Sequence, residues 1–375
     1  MRKMKQPRGG GVSDEHPDNA PDLSYFNFSL YNGGDRPILA NIIDTRDTAV
    51  LDRPADFELS VVRFNVPINS IPTSLIPFTG NPLVPTETIL RVGIGYQGAI
   101  VYQNVLLTTT NRPEEYIFPS GAIFTYGQLL EYVNDAFALV YAQLVLLYPA
   151  LTLTAPPVYV FDPVSLLINL YIPDEYTDFT PNPSPFTIHL NEPMFEHFLC
   201  NVRARLTQPG GVIDWQLIIS NDTIKTTAPA PRIGLPPNLA TVPSLYVLYQ
   251  DAPSIERWNC LKNIVLTSSL VPITPEYVST PSRASGSSQN SNTQQGSLPI
   301  ITDFLALGAL DPLRDRVAVE YIPSGEYRMV SLVGASPIYR LDISVYWVDT
   351  YGGIHPLFIT PLTGFDVKVM FRRRR

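Results

Sequence analysis

The sequence predicts an all-β chain carrying one substantial helix, and three observations predict it. Proline accounts for 37 of the 375 residues, about twice the usual share, scattered beside apolar runs rather than gathered in tracts. Proline lacks a backbone donor, so strand ends, edges and turns tolerate it while helix interiors and central ladders do not. The most regular apolar patterns, "ADFELSVVRFNV" and "IYRLDISVYWVD", alternate with the period of a strand. A single segment, "FTYGQLLEYVNDAFALVYAQLVLLYP", has helical spacing instead.

The elements follow in order. Residues 1–22 carry Arg2, Lys3, Lys5 and Arg8, then three glycines and an acidic patch. With nothing to bury, they are expected as a disordered basic N-terminal arm. The body is expected over 23–371. In its first clear strand Phe57, Leu59 and Val61 alternate with Glu58, Ser60 and Val62, and the prolines of "PINSIPTSLIPF" then prevent a long element. "TILRVGIGYQG" and "IVYQNVLL" read as strands joined by a turn at Tyr96, Gln97 and Gly98. The helix places Leu129, Leu130, Val133, Phe137, Val140 and Leu144 on one stripe. Thr125 and Gln128 suggest a capping box, and Pro149 stops the pattern.

"PVYVFDPVSLLINLYIP" and "GVIDWQLIIS" read as further strands. Residues 100–250 are expected as an insertion that can form a second subdomain. The Ser- and Asn-rich stretch 280–299 is expected as a flexible loop. In "IYRLDISVYWVD" Tyr339, Leu341, Ile343, Val345 and Trp347 share a face. "VKVMF" closes the body with Val367, Val369 and Phe371 on one face and Asp366, Lys368 and Met370 on the other. A basic tail, residues 372–375, follows.

The residues argue against enzyme chemistry. No GxSxG elbow is present, and "GIGYQG" lacks the glycine spacing and the lysine of a phosphate loop, so its glycines are expected at a bulge or bend. His189 and His197, with Glu192 and Glu196 nearby, would hold a metal only if the segment folded back on itself. His16 lies in the arm and His355 stands apart. No catalytic residue, cofactor or metal is expected. Cys200 and Cys260, in apolar surroundings, read as inert core thiols. No signal-peptide pattern opens the chain. No run of 18 uninterrupted apolar residues suggests a membrane span, and the sequons at Asn27 and Asn221 read as chance matches.

Charge is more informative. Charged residues make up 16% of the chain, against about 25% usually, which suits a surface partly hidden in an assembly or one that is polar but uncharged. Net charge is −8, yet Arg2, Lys3, Lys5 and Arg8 crowd one end and Arg372, Arg373, Arg374 and Arg375 the other. Basic arms of this kind offer nonspecific contact to nucleic acid or to an acidic partner. Solubility, or pairing with acids of the same domain, explains them equally. Tyr25, Phe26 and Phe28 of "SYFNF" suit base stacking or an arm docking on a neighbour.

"DFELSVVRFNVPINSIP", "SGEYRMVSLVG" at 324–334, and "LDISVYWVDTYGGIHPLFITPLTGFDVKVMFRRR" resemble minor capsid proteins of small eukaryotic DNA viruses. The type is the penton or vertex protein of virophage-like and transposon-like viruses. The resemblance covers the two ends of the chain and leaves 100–250 unmatched. It implies a jelly-roll β-sandwich with the helix in an insertion and long proline-rich loops. It further implies a virion protein assembled in the host cytoplasm or nucleus as a homo-oligomer, first a pentamer, beside a major capsid protein, with packaged DNA a candidate partner. The alternative is a β-sandwich attachment module that binds a glycan or receptor, for which 20 tyrosines and 3 tryptophans would serve.

Overall fold

Three strands open the fold: β1 (Leu23–Tyr31), β2 (Asn41–Thr45) and β3 (Phe57–Pro67). A long excursion follows, with β4 (Glu87–Tyr96), β5 (Ala99–Leu106), helix α1 (Tyr126–Leu147), β6 (Val158–Asp162), β7 (Leu167–Pro173) and β8 (Phe186–Asn191). It continues through helix α2 (Glu192–Phe198), β9 (Ala204–Thr207), β10 (Asp214–Leu217), β11 (Ile224–Thr227) and β12 (Ser244–Leu248). The chain then adds β13 (Leu261–Thr267), β14 (Ile300–Leu305), β15 (Ala318–Tyr321), β16 (Arg340–Asp349), β17 (Ile354–Pro356) and β18 (Gly364–Arg373). The structure is a computed structural model that describes residues 23–107, 121–177 except 152 and 163, 186–198, 204–219 except 212, 224–227, 242–250 except 243, 253–254, 258–274, 276–277, 297–305, 318–322, 328–350 and 352–374. The expected arm 1–22, most of the loop 280–299, Cys200 and Arg375 lie outside the described residues.

Strands from the two ends of the chain form two antiparallel sheets. One has the order β1-β18-β3-β15; in the other β14, β13 and β16 are neighbours, and β2 and β17 both pair with β16. Counting the eight long-range strands along the chain from β1 to β18, with β17 left out, the sheets run 1-8-3-6 and 2-7-4-5. Successive strands cross between facing sheets except at β13 and β14, which are neighbours in one sheet, and this is the connectivity of a jelly roll. The fold class expected from the sequence is the one observed.

The core between these sheets takes alternate residues from each strand, because side chains of a strand point to opposite faces in turn. β16 supplies Leu341, Ile343, Val345 and Trp347, and β18 supplies Val367, Val369 and Phe371. Tyr339, expected on the same face, precedes β16 and is exposed. β3 supplies Phe57, Leu59 and Val61, then Phe64 and Val66. The parity changes there because β3 opposes Val61 to Val369 and Arg63 to Lys368, leaving Val62 as an extra residue. A bulge of this kind turns the following side chains to the other face, so Arg63 and Asn65 stay in solvent while Phe64 is buried.

Asp342 points away from that core yet is buried. It accepts the backbone N–H of Leu270 at 2.8 Å and of Ser269 at 2.9 Å, the Ser269 hydroxyl at 2.7 Å, and the Ser268 hydroxyl. Burial pushes its carboxyl up, but these donors outweigh burial and hold it below the usual value. The turn after β13 is thereby pinned to β16.

The excursion builds a second core of its own. A five-stranded sheet of order β9-β10-β8-β4-β5 and a four-stranded sheet β11-β12-β7-β6 contribute to it, with both helices. α1 begins where Thr125, in extended conformation, accepts the Gln128 N–H at 3.1 Å. The Gln128 side chain reaches back to the N–H of Phe124, one residue short of the expected reciprocal cap. All six residues of the expected stripe are buried. α1 is long and apolar enough to cross a membrane by length and composition, but nine of its residues pack inside the protein. Asn134 donates to the Tyr159 carbonyl at 2.9 Å and accepts its N–H at 2.8 Å, tying α1 to β6. β4 and β5 are joined by Gln97 (φ 50°) and Gly98 (φ 88°). Two consecutive positive φ values make the tight turn whose twist suits a hairpin.

The ends of the excursion are tied together. The N–H of Cys260 donates to the Thr73 carbonyl at 3.1 Å and its thiol to the Pro72 carbonyl at 3.0 Å. Cys260 is buried, as expected.

Candidate functional site: the arginine strand and a buried polar cluster

β18 runs through Arg373, two residues past the expected strand end at Phe371. Phe371 is buried against Phe26, ring centroids 5.4 Å apart and edge to face. Arg372 lies opposite Glu58 and donates to its carboxylate at 2.9 Å. Arg373 lies opposite Phe57. The N–H of Arg374 donates to the Asp56 carbonyl at 2.7 Å and its guanidinium to the Leu332 carbonyl at 2.9 Å. These three arginines thus leave along a sheet rather than from a linker. Half of the Arg372 side chain (49%) is exposed. On the same outer face Lys368 stands over the Tyr25 ring at 4.8 Å and lies opposite Arg63. The surface is basic but carries Glu58 and Asp366 within it, so it can attract an anionic partner only weakly and with strong dependence on salt.

Tyr25, Phe26 and Phe28 belong to β1, the edge strand beside β18. Phe28 is buried in the jelly-roll core and Phe26 packs against it. Only Tyr25 of the three turns outward. Two of the three residues expected to dock or stack are therefore internal, because β1 alternates like any half-buried strand. Arg2, Lys3, Lys5 and Arg8 lie outside the described residues.

His189 and His197 fall on consecutive elements, β8 and α2, in different surroundings. Among the described residues no group of three or more His, Cys, Asp or Glu side chains could hold a metal. The His197 ring stacks on Trp258, centroids 5.0 Å apart, and its Nε2 is buried without a hydrogen-bond partner. Burial pushes its pKa down to about 4. The indole N–H of Trp258 donates to the His197 carbonyl at 2.7 Å.

His189 joins a cluster that sequence reasoning did not find. Asp214 of β10 is fully buried; it accepts the Arg91 guanidinium at 2.9 Å and the Tyr102 hydroxyl. Nδ1 of His189 lies 3.8 Å from the same carboxylate, and Nε2 lies 2.9 Å from the Thr187 hydroxyl. The Arg91 guanidinium also covers the Tyr102 ring at 4.4 Å. Burial raises the Tyr102 pKa, Asp214 raises it further and Arg91 opposes them. Burial lowers the His189 pKa; Asp214 opposes this, and Arg205 and Arg91 add to it. Gly93 makes the cluster possible: a Cβ there would come within 2.6 Å of the Tyr102 ring. The "GIGYQG" glycines before the turn therefore give clearance rather than a bulge. The cluster joins four strands by a shared carboxylate and has the character of an internal brace.

Residues 22–373 match the family of the Sputnik minor capsid protein V18/19. The chain belongs to this family. Structural protein V19 of Sputnik virophage is 31% identical over 136 residues, which are 35% of this chain. The chain spans 57% of the length of that relative. A chain of the Sputnik virophage solved by cryo-EM superposes with a TM-score of 0.72 at 24% identity, covering 94% of this chain and 98% of that one. The crystallised mavirus penton protein gives 0.61 at 16% identity, covering 94% and 99%. At these identities the two structures bear on the fold, and both support the jelly roll. Membership of the family makes the chain a minor capsid structural protein, a component of the virion.

Proposed function

We propose that this capsid protein forms an oligomeric, penton-like vertex capsomer, a pentamer first, that contacts neighbouring major capsid proteins. The likeness over 94% of the chain to a protein named as a penton carries this reading. Low charge, 16% of residues, supports it, since a surface hidden in a shell gives up solvating charges. In this reading the jelly roll is the shell-forming domain, and the excursion between β3 and β13 is a second domain carried on it. The Arg372–Arg374 strand end and the basic residues 2–8 face inward, toward packaged DNA or an acidic internal partner.

Native mass measurement of the purified chain tests the oligomer. A pentamer supports the vertex; a trimer or a monomer overturns it, and a monomer that binds glycans favours the attachment module. Replacing Arg372 and Arg373 with glutamine tests the inward contact. Intact oligomers with weaker, salt-sensitive and base-indifferent DNA binding are expected. Unchanged DNA binding overturns that contact and leaves the vertex reading untouched.

A further inference from the structure

β8 and α2 follow one another without a break, and each carries a histidine: His189 is buried on the face of the sheet away from Ile188 and Leu190, and His197 is half-buried against Trp258. β8 is the middle strand of its five-stranded sheet, and α2 packs Phe195 flat on Trp215 with centroids 4.1 Å apart. Each ring has one buried nitrogen without a partner, Nδ1 of His189 and Nε2 of His197. A proton added at Nε2 of His197 places charge where no hydrogen-bond acceptor has been set for it, and one added at Nδ1 of His189 faces a carboxylate 3.8 Å away that already serves Arg91 and Tyr102.

The surroundings decide whether that charge is tolerated. Around His189 stand Asp214 of β10, Arg91 of β4, Tyr102 of β5 and Arg205 of β9. Asp214 would welcome an imidazolium, but its oxygens already accept Arg91 and the Tyr102 hydroxyl, and two guanidinium groups oppose a third cation. Around His197 stand the rings of Trp258 and Phe198. The stack on Trp258 gives some cation–π compensation, yet burial dominates and the group stays neutral down to about pH 4. The jelly roll differs. Its described histidine, His355, keeps 20% of its side chain exposed and pairs with Asp349 at 2.8 Å. Its buried Asp342 has its pKa held below 3.8 and keeps its charge in mild acid.

We propose that the second core is an acid-sensitive unit, in which protonation of His189 and His197 loosens β8 and α2 while the jelly roll keeps its packing. The inference rests on the chain's own packing and goes beyond the vertex reading. The sign follows from linkage. A histidine whose folded pKa is depressed stabilises the fold above its unfolded pKa, and that stability is lost as pH falls toward the folded value. For His197 the interval runs from 6.5 down to about 4. Its proton alone lowers the folding equilibrium of the second core by about fifty-fold between pH 7 and pH 4.5.

Hydrogen-exchange mass spectrometry of the full chain from pH 7 to pH 4.5, corrected for intrinsic exchange rates, tests this. Peptides of β8, α2 and α1 are expected to lose protection first, while those of β3, β16 and β18 hold. His197→Phe keeps the stack on Trp258 without a titrating nitrogen and should move the loss to lower pH. Should that variant fail to fold, an NMR titration of the histidines in the unaltered chain decides. His189 and His197 titrating below 6.5 supports the proposal, and both titrating at or above 6.5 overturns it. Simultaneous loss of protection in the two cores, or a His197→Phe profile identical to the parent's, also overturns it.

Discussion

Removing the Asp342 carboxylate should detach the turn after β13 from the jelly roll. In Asp342→Ala the N–H groups of Ser269 and Leu270 lose their acceptor inside the protein, as do two serine hydroxyls. The N–H groups of the exposed Ser269 and Leu270 can turn to water, but the hydroxyl of the buried Ser268 is left without its acceptor. A hydrogen bond to a charged group contributes about 1.5–3 kcal/mol, so with Ser268 buried the expected loss is about 2–3 kcal/mol. Asp342→Asn keeps one acceptor oxygen without the charge and should cost about half as much.

The pH dependence supplies a second arm. The folded pKa of Asp342 lies below its usual value, so its stabilisation is complete above the unfolded pKa of about 3.9 and fades as pH falls through the folded value. The gap between parent and Asp342→Asn should therefore stay constant from pH 7 to pH 5 and narrow below pH 4. The assay is native-state hydrogen exchange in a guanidinium series, read on peptides of β13 and β16. A loss under about 1 kcal/mol for Asp342→Ala would refute the reasoning, since it would mean the donors had found other acceptors at little cost.

Three further outcomes are expected. Phe371→Ala, which empties a fully buried site against Phe26, should cost about 3–5 kcal/mol in chemical denaturation. Gly93→Ala should cost about 1–3 kcal/mol and should weaken the Tyr102 contact with Asp214, seen as a lowered tyrosine pKa in an ultraviolet titration. Arg372→Ala breaks a half-exposed ion pair with Glu58 and should change stability by under about 1 kcal/mol, which a melting curve checks.

Much of the jelly roll was legible because half-buried strands write a period of two into the sequence. β16 and β18 show it plainly, and β3 shows it until Val62, where one extra residue reverses the parity. β1 carried the same signal in Phe26, Phe28 and Leu30, but its place beside a basic segment invited the reading of an arm. Short sandwich strands such as β2 and β15 have too few residues for a pattern to stand out. The helix was legible together with its first capping bond, since both are local. The Asp214 cluster was not, because Arg91 and Asp214 are far apart in sequence and nothing near either announces the other. Its one local trace was Gly93, whose missing side chain marks where a phenol crosses the strand. Kinship was visible from the two ends of the chain because the jelly-roll strands lie there, whereas the family match extends through 100–250 as well.

The tie between Cys260 and the Pro72–Thr73 backbone gives the excursion the character of cargo held by a clasp. With departure and return fixed beside each other, β3 and β13 feel the intervening chain at two neighbouring points, whatever its length. Closing a longer loop adds only about 0.6 kcal/mol per doubling. The position between β3 and β13 is thus a permissive one, where segments of other sizes can be exchanged while the jelly-roll strands keep their register.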